Sequence, residues 1–341
     1  MERRSAHCRS VGSRGSAAAH VFPVEKKLKI VFQYDAGAGL SRKLAALAAE
    51  DFEIASCEET DHARFLELMA EAEALWHVLM PITGDVIAAS PRLRFIQKVG
   101  VGLNTIDLAA AKARGIAVCN MPGTNSRAVA EMTLLLMLAA LRRVAWFDSR
   151  TREGRGWPLP TEVQDQLGEI AGRTVGLVGF GAVPRLIAPV LKAMGAKVLY
   201  TARAPKADVI AEWRALDDLL AESDVVSLHA ALTDQTQGLI GARAIQRMKP
   251  GAVLVNTARG ALVDEAALVE ALKSGRLGAA GIDVFAAEPA GAGHPLFALP
   301  NVVVAPHVAW LTVETLDRSL AVAVENCRRL RAGKPLLHQV V

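Results

Sequence analysis

The sequence predicts an α/β protein that consists of two doubly wound parallel-sheet domains with a cleft between them. The chain has 341 residues, enough for two domains of about 150 residues each. From Leu28 onward, short β-rich runs alternate with helical stretches, which is typical of parallel α/β architecture. Several of these runs are continuous in Val, Leu and Ile, as expected for strands that are covered on both faces.

Two sets of strands follow one another along the chain. In the first set, helical segments such as Ser41–Glu50 and Asp61–Glu73 separate the strands. Its predicted strands are Leu28–Tyr34, Phe52–Cys57, Leu75–Met80, Leu93–Val99 and Ile116–Asn120. The predicted strands of the second set are Thr174–Gly179, Lys197–Thr201, Asp224–Leu228, Ala252–Asn256, Ala279–Val284 and Asn301–Val304.

Two long helices are predicted to join the two sets. The segment Asn125–Ala145 opens with polar Asn125 and Ser126, which are predicted to cap its first amides, and then becomes strongly apolar. The segment Thr312–Arg331 carries apolar residues at helical spacing and is followed by Gly333, Lys334 and Pro335, a stop signal. The polar stretch Arg150–Gly172 is interpreted as a connector.

Composition and charge exclude two classes of partner. No apolar run reaches the roughly 18 residues that a membrane span needs, so we expect no membrane partner. Residues 1–27 carry six bases and two acids, and this excess equals the net charge of +4 of the whole chain. The remainder is therefore neutral, and no nucleic-acid partner is expected. Residues 1–27 are interpreted as a disordered basic extension, with an upstream start codon or an organellar transit peptide as the alternatives.

The four cysteines (Cys8, Cys57, Cys119 and Cys327) are far apart, and none forms a CxxC pair. This spacing indicates neither a disulfide framework nor a zinc site, so no metal is expected. A reducing, cytoplasmic compartment fits this usage of cysteine.

A glycine-rich turn follows the predicted strand at Thr174 and precedes a helix, an arrangement typical of a dinucleotide-binding loop. Gly179 permits the tight turn, and Gly181 lets the backbone approach a pyrophosphate. The amides of Ala182 and Val183 then lie at a helix N-terminus, where they attract negative charge. Pro184 replaces the third glycine of the pattern; it is tolerated in a first helical turn but affects the packing of helix on strand.

The end of the next strand indicates the preferred cofactor. An NAD site usually has Asp or Glu about 20 residues past the glycines, to hold the ribose hydroxyls. This chain has Thr201 there, and no carboxylate occurs before Asp208. The hydroxyl of Thr201 and the guanidinium of Arg203 attract a 2′-phosphate. We therefore expect NADP to be preferred, with NAD as a usable alternative.

Three downstream segments carry polar residues at strand ends, where α/β sheets bind ligands. They are Met248–Gly260, Gly281–Pro289 and Val304–Trp310. Together, from about residue 28 onward, the chain resembles the D-isomer-specific 2-hydroxyacid dehydrogenases. The resemblance implies a flavodoxin-like substrate domain, formed by residues 28–122 and 308–341, and a Rossmann dinucleotide-binding domain, formed by residues 123–307.

The resemblance also implies catalytic roles. Arg259 matches the family's substrate-binding arginine, whose planar donors suit a 2-oxo acid. His307 matches the acid/base histidine, which supplies the proton that a reduced ketone needs. Glu288 matches the carboxylate that hydrogen-bonds this histidine, and Asp283 matches the aspartate near the nicotinamide carboxamide.

Further site residues follow from the same resemblance. Gly100, Val101 and Gly102 match the loop whose amides hold the substrate carboxylate, and Leu79 is expected to face the same cleft. The cofactor contacts implied by position are Ala230, Ala231, Thr236, Thr257, Ala258, Arg259, Asp283, His307 and Ala309. The segment His229–Thr233 departs from the family's usual His-x-Pro-Leu-Thr, because Ala231 replaces the proline.

The expected function is NADPH-dependent reduction of small 2-oxo acids, of the glyoxylate or hydroxypyruvate type, to D-2-hydroxy acids. The segment Pro306–Trp310 looks closest to glycerate dehydrogenases and hydroxypyruvate reductases. One alternative is a dinucleotide-sensing interaction protein of the corepressor type, and another is a formate or phosphite dehydrogenase. The resemblance further suggests that the apolar helix Asn125–Ala145 helps to form a homodimer.

Overall fold

A computed structural model describes residues 27–157 and 159–341; the predicted extension over residues 1–27 lies almost wholly outside the described residues. The described chain contains two sheets, and all of their strand pairs are parallel. This confirms the predicted α/β class with two doubly wound parallel sheets. The strands are β1 (Leu28–Gln33), β2 (Phe52–Cys57), β3 (Ala74–His77), β4 (Phe95–Lys98), β5 (Ala117–Cys119), β6 (Thr174–Val178), β7 (Lys197–Thr201), β8 (Glu212–Trp213), β9 (Val225–Leu228), β10 (Ala252–Asn256), β11 (Leu277–Ile282) and β12 (Val302–Val304).

Helices cover both sheets. They are α1 (Ala38–Glu50), α2 (His62–Met69), α3 (Gly84–Ala88), α4 (Leu108–Ala113), α5 (Ser126–Leu141), α6 (Val144–Arg152), α7 (Thr161–Gln164), α8 (Ala182–Ala193), α9 (Leu216–Glu222), α10 (Ala242–Arg247), α11 (Glu265–Lys273) and α12 (Val313–Arg331). Two short 3-10 helices, Gly260–Leu262 and Pro295–Ala298, complete the structure.

The order of the strands fixes where ligands bind. The five-stranded sheet has the order β2-β1-β3-β4-β5, which is the flavodoxin-like order. The seven-stranded sheet has the order β12-β11-β10-β9-β6-β7-β8, which is the Rossmann order extended by one strand. In such sheets the binding crevice lies beyond the carboxyl ends of the strands, where the strand order reverses.

The strands are continuous apolar runs because they are buried on both faces. All residues of β9 and β10 are buried, and the side chains on the two faces of the seven-stranded sheet belong to two separate apolar clusters. Two further clusters cover the two faces of the five-stranded sheet. The sequence did not predict β8, since a strand of two exposed residues carries no burial pattern.

The predicted helix 125–145 is two helices, and the break lies at Arg142 and Arg143. Arg143 has φ +49°, a left-handed conformation that ends α5 before α6 begins. Asn125 stands at the N-cap of α5, but its side chain makes no capping hydrogen bond, so that prediction was wrong. The predicted connector 150–172 contains the end of α6 and the whole of α7.

The C-terminal helix α12 packs on the five-stranded sheet, in the same apolar cluster as β1. Thr312 caps α12 by accepting a hydrogen bond from Thr315 N at 3.1 Å. Ala323 and Cys327 of α12 lie in the same buried cluster as residues of β1 and β3. Apolar residues of α5 instead pack against the seven-stranded sheet. This packing is what a discontinuous substrate domain would show, although the boundaries at residues 122 and 307 stay predictions.

Candidate active site

A cleft of about 630 Å³ lies where the carboxyl ends of strands from both sheets meet. Most of its walls come from segments that directly follow five strands. These segments are Val78–Pro81 after β3, Val99–Thr105 after β4, Thr257–Ala261 after β10, Asp283–Ala290 after β11 and Ala305–Trp310 after β12. The predicted residues Arg259, Glu288 and His307 all line this cleft.

Arg259 is held by the turn that follows β10. The buried side chain of Asn256 donates to Arg259 O at 2.9 Å and accepts from Ala258 N at 3.0 Å, which closes the turn. Arg259 Nη1 donates to Ala258 O at 2.6 Å, and Nε donates to Asn104 Oδ1 at 3.2 Å. Burial lowers the pKa of Arg259, and the nearby charge of Glu288 opposes this shift. The guanidinium therefore bridges the two sides of the cleft.

His307 and Glu288 form a hydrogen-bonded pair, with Nδ1 and Oε2 separated by 2.7 Å. The other carboxylate oxygen of Glu288 accepts a hydrogen bond from Phe285 N at 2.9 Å. Burial alone would raise the pKa of Glu288. The hydrogen bonds from His307 and Phe285 and the charges of His307 and Arg259 outweigh burial, so the pKa lies below its ordinary value. Glu288 is thus a carboxylate, which favours a proton on Nδ1 and leaves Nε2 for a ligand.

The backbone of His307 is in the left-handed region, with φ +55°. Fully buried Asp283 holds it there: its carbonyl accepts from His307 N at 2.7 Å, and its carboxylate accepts from Val308 N at 2.9 Å and Ala309 N at 3.0 Å. Trp310 Nε1 donates to His307 O at 3.0 Å. Burial raises the pKa of Asp283 to about 6, and the two amide bonds and His307 oppose that shift. This network fixes the direction in which the imidazole points.

The predicted substrate loop also faces the cleft, since Leu79, Gly100, Val101 and Gly102 all line it. Within residues 27–157 and 159–341, the N–H groups of Val101 and Gly102 donate no hydrogen bond. Two free, adjacent N–H groups are suited to a carboxylate. The N–H of Leu79 is different, because Glu59 Oε1 accepts from it at 3.0 Å.

The residues present fit a dinucleotide. Gly179 has φ +94°, and a Cβ there would lie 2.8 Å from Ala230 N and from His229 O, so only glycine fits. Gly179 N also donates to Thr201 O at 2.9 Å, which brings the ends of β6, β7 and β9 together. At Gly181 a Cβ would meet nothing within 4 Å, and α8 begins at the next residue with no side-chain cap. The open space and the uncapped amides of Ala182 and Val183 fit a pyrophosphate.

Prolines in α8 do not interrupt this site. Pro184 is the third residue of α8, where the helix needs no hydrogen bond from it, as the sequence predicted. Pro189 also lies inside this helix, in its second half. It cannot donate to the carbonyl four residues earlier, so it weakens the helix away from the loop.

The predicted cofactor residues fall into two groups. Thr257, Arg259, Asp283, His307 and Ala309 line the cleft. The remaining ones lie outside its walls: Gly179, Gly181, Ala182, Val183, Thr201, Arg203, Ala230, Ala231, Thr236 and Ala258. The hydroxyl of Thr236 accepts from Thr233 N at 2.8 Å and donates to Ala231 O at 2.7 Å, so it closes its own turn. The roles of both groups in binding a cofactor stay predictions.

Sequence reasoning missed several polar residues of the cleft, among them Asn104, Glu59 and Lys98. Asn104 binds the guanidinium of Arg259, Glu59 binds the amides of Leu79 and Met80, and Lys98 is buried beside the substrate loop. Lys98 and Asn104 flank the Gly-rich run at the end of β4, and a charged residue at the end of an apolar strand is a signal that points to a site. Glu59 carries no such signal, because it lies in an acidic stretch whose composition predicts exposure to solvent.

Comparisons with known proteins identify the family. Residues 134–309 match the family described as "D-isomer specific 2-hydroxyacid dehydrogenase, NAD binding domain". A glyoxylate reductase of Aeropyrum pernix is 43% identical over 272 residues, which cover 77% of this chain and 81% of that protein. The chain belongs to the D-isomer specific 2-hydroxyacid dehydrogenase family. It is therefore an oxidoreductase with a dinucleotide-binding domain.

The similar proteins are named for different substrates. A D-3-phosphoglycerate dehydrogenase of Mycobacterium tuberculosis is 39% identical over 300 residues; the match covers 86% of this chain but only 56% of that protein. A crystal structure of an NADPH-dependent glyoxylate/hydroxypyruvate reductase of Sinorhizobium meliloti, in complex with NADP and malonate, superimposes with a TM-score of 0.80 at 30% identity. It covers 93% of this chain and 97% of that chain.

Residues 27–157 and 159–341 contain neither a membrane-spanning helix nor a cluster of metal-ligating side chains. No helix among them is long and apolar enough to cross a membrane. In the same ranges, no group of three or more His, Cys, Asp and Glu side chains is arranged to hold a metal ion.

Proposed function

We propose that this family member reduces small 2-oxo acids of the glyoxylate or hydroxypyruvate type to D-2-hydroxy acids, with NADPH as the preferred reductant. The observation that carries the proposal is the convergence of Arg259, the His307–Glu288 pair and two free loop amides on one cleft. The loop amides and Arg259 suit the carboxylate of a 2-oxo acid, and the His307–Glu288 pair suits its carbonyl oxygen. The glyoxylate reductase of A. pernix and the S. meliloti reductase support this class of substrate.

The chain's own groups would orient the acid. The N–H groups of Val101 and Gly102 bind its carboxylate, and Arg259 holds the carboxylate and the carbonyl oxygen together. Asn104 accepts a hydrogen bond from Arg259 Nε and so leaves Nη2, which lies against Gly102, for the substrate. The binding energy is thus used to fix the position of the carbonyl carbon.

His307 would supply the proton. A bound nicotinamide dinucleotide supplies the hydride that adds to C2. The carbonyl oxygen then carries the electron pair of the former π bond, and the proton on His307 Nε2 neutralises it. Glu288 acts through Nδ1: as a carboxylate it stabilises the imidazolium before transfer and fixes its orientation.

The cofactor would lie along the carboxyl ends of β6 and β7. Gly179, Gly181, Ala182 and Val183 hold the pyrophosphate, and Thr201 and Arg203 hold a 2′-phosphate. Arg203 is exposed, and no carboxylate stands between it and Thr201 to repel that phosphate. The NADP in the S. meliloti structure supports this preference.

A panel of 2-oxo acids tests the function. The purified protein is assayed for oxidation of NADPH and of NADH with glyoxylate, hydroxypyruvate, pyruvate, oxaloacetate and 3-phosphohydroxypyruvate. The proposal expects the highest kcat/KM for glyoxylate or hydroxypyruvate with NADPH. Activity confined to the phosphorylated substrate would instead match the phosphoglycerate dehydrogenases. No activity with any acid would overturn the enzymatic assignment.

Assembly and compartment belong to the same proposal. We propose a homodimer that uses α5 and α6, where Leu135 and Val144 are exposed apolar residues. Light scattering at micromolar concentration that shows only monomer would refute it.

We also propose a cytoplasmic location, because Cys57, Cys119 and Cys327 are buried free thiols. Cell fractionation tests this location.

A further inference from the structure

Lys98 is a buried cation at the edge of the substrate loop. It ends β4 and lines the cleft, yet only 5% of the residue is exposed. Its Nζ donates to Val78 O and lies 3.4 Å from Thr105 Oγ1. Among the described residues, Lys98 forms no ion pair with a carboxylate. A buried charge is costly unless an opposite charge accompanies it, and Glu59, whose charge favours the ammonium, makes no ion pair with it.

The hydrogen bonds leave one donor of the ammonium free. A protonated lysine has three N–H groups, and Val78 O and Thr105 Oγ1 accept two of them. Thr105 Oγ1 also lies 2.9 Å from Nε2 of buried His77. Burial and the charge of Lys98 lower the pKa of His77, so its ring is neutral and adds no second cation beside Lys98. An ammonium can only donate, so Thr105 Oγ1 accepts from Lys98.

Lys98 and Arg259 both contact the loop. A Cβ at Gly100 would lie 3.6 Å from Lys98 Cε, and a Cβ at Gly102 would overlap the guanidinium of Arg259. The free N–H groups of Val101 and Gly102 therefore belong to a loop that two cations touch. The carboxylate of Glu59 lines the same cleft, and its Oε1 accepts from the amides of Leu79 and Met80.

We propose that Lys98 is a substrate-contacting residue: its free N–H binds the carboxylate of the 2-oxo acid together with Arg259, and the bound anion supplies the negative charge that the buried ammonium does not have as an ion-pair partner. This proposal rests on the proposed function, because it takes a 2-oxo acid as the ligand.

The proposal makes substrate binding depend on a proton. Burial and the charge of Arg259 lower the pKa of Lys98 to about 7, and Glu59 opposes the shift. A bound carboxylate favours the ammonium and so raises this pKa in the complex. Above pH 7 the free protein must then take up a proton to bind the acid. Affinity should fall by about tenfold per pH unit between the two pKa values.

The test is calorimetric titration of oxamate, a non-reducible mimic of a 2-oxo acid, into the NADPH-saturated protein at pH 6 to 9. Titrations in phosphate and in Tris at pH 8 give the number of protons taken up. The wild type should take up a proton with each oxamate, while K98M should bind oxamate about 10- to 100-fold more weakly and lose the pH dependence. K98R should retain affinity but not the pH dependence. His307 can also accept a proton, so H307Q is titrated as well and should retain the uptake.

Three outcomes separate the possible roles of Lys98. K29M removes a half-buried lysine of β1 that pairs with Glu71, and it should match the wild type throughout. If K98M is less stable but keeps the wild-type pH dependence and KM, Lys98 is only structural and the proposal is overturned. If K98M does not fold, the absence of proton uptake by wild type and H307Q would overturn it. If the wild-type protein shows no activity with any acid of the panel, the proposed function is overturned instead.

Discussion

The guanidinium of Arg259 occupies the space that a side chain at Gly102 would need. A Cβ built at Gly102 would overlap Arg259 Nη2, and Nε of the same arginine donates to Asn104 at 3.2 Å. Because Gly102 has no side chain, Arg259 of the turn after β10 can approach the loop after β4 closely. Because the loop amides and the guanidinium lie side by side, a single carboxylate can reach both.

Gly102→Ala should displace this arginine without unfolding the protein. The new methyl group forces the guanidinium away from the loop, and a misplacement of this size should lower kcat/KM by about 10- to 100-fold. Steady-state kinetics with glyoxylate measure this loss, and fluorescence titration should show unchanged affinity for NADPH. The matched control is Gly39→Ala in α1, where a Cβ meets nothing within 4 Å. Equal activity of the two variants would contradict the proposed contact of Arg259 with substrate.

His307→Gln should remove the proton donor. Loss of a general acid lowers kcat by about 10²- to 10⁴-fold, whereas binding of NADPH should be retained. Glu288→Gln keeps a hydrogen-bonding side chain but removes the charge that stabilises the imidazolium, so its loss of kcat should be smaller. Both are measured by steady-state kinetics together with cofactor titration.

A second His–Glu pair provides the control for these variants. His294 Nε2 lies 3.4 Å from Glu265 Oε2, and neither side chain lines the cleft, although His294 packs behind Phe285 and Phe297, which do. His294→Gln should therefore leave kcat within about twofold of the wild type. If His307→Gln retains the full kcat, His307 is not the proton donor and the proposed mechanism is wrong.

The sequence was sufficient for the fold and for finding the strand ends that line the cleft, because both depend on local patterns. Continuous apolar runs identified all strands but β8, and Arg259, Glu288 and His307 carried recognisable neighbours. The break at Arg143 was missed because a left-handed residue other than glycine leaves no local signal. Lys98 was missed as a site residue because its burial depends on contacts with Val78 and Thr105, in other strands and loops.

Asp283→Asn should disturb catalysis through the backbone. Both carboxylate oxygens of Asp283 accept amide hydrogen bonds, from Val308 and Ala309. An asparagine replaces one acceptor with a donor, which leaves a buried amide unsatisfied at a cost of about 1–3 kcal/mol. The free energy of unfolding in urea should fall by this amount, and kcat should fall because His307 loses its support. Exposed Asp165→Asn is the control, and unchanged kcat in Asp283→Asn would contradict the positioning role.

Thr201→Asp should reverse the cofactor preference. A carboxylate at the end of β7 repels a 2′-phosphate and accepts hydrogen bonds from ribose hydroxyls, so it disfavours NADPH and favours NADH. Arg203→Ala should weaken NADPH alone, since NADH has no phosphate for the guanidinium to bind. The ratio of kcat/KM for the two cofactors, measured with one 2-oxo acid, should fall by about tenfold or more in each variant. Arg243→Ala, which removes an exposed arginine of α10, should leave this ratio unchanged. A wild-type kcat/KM with NADH that equals or exceeds the kcat/KM with NADPH would refute the preference, whatever the variants show.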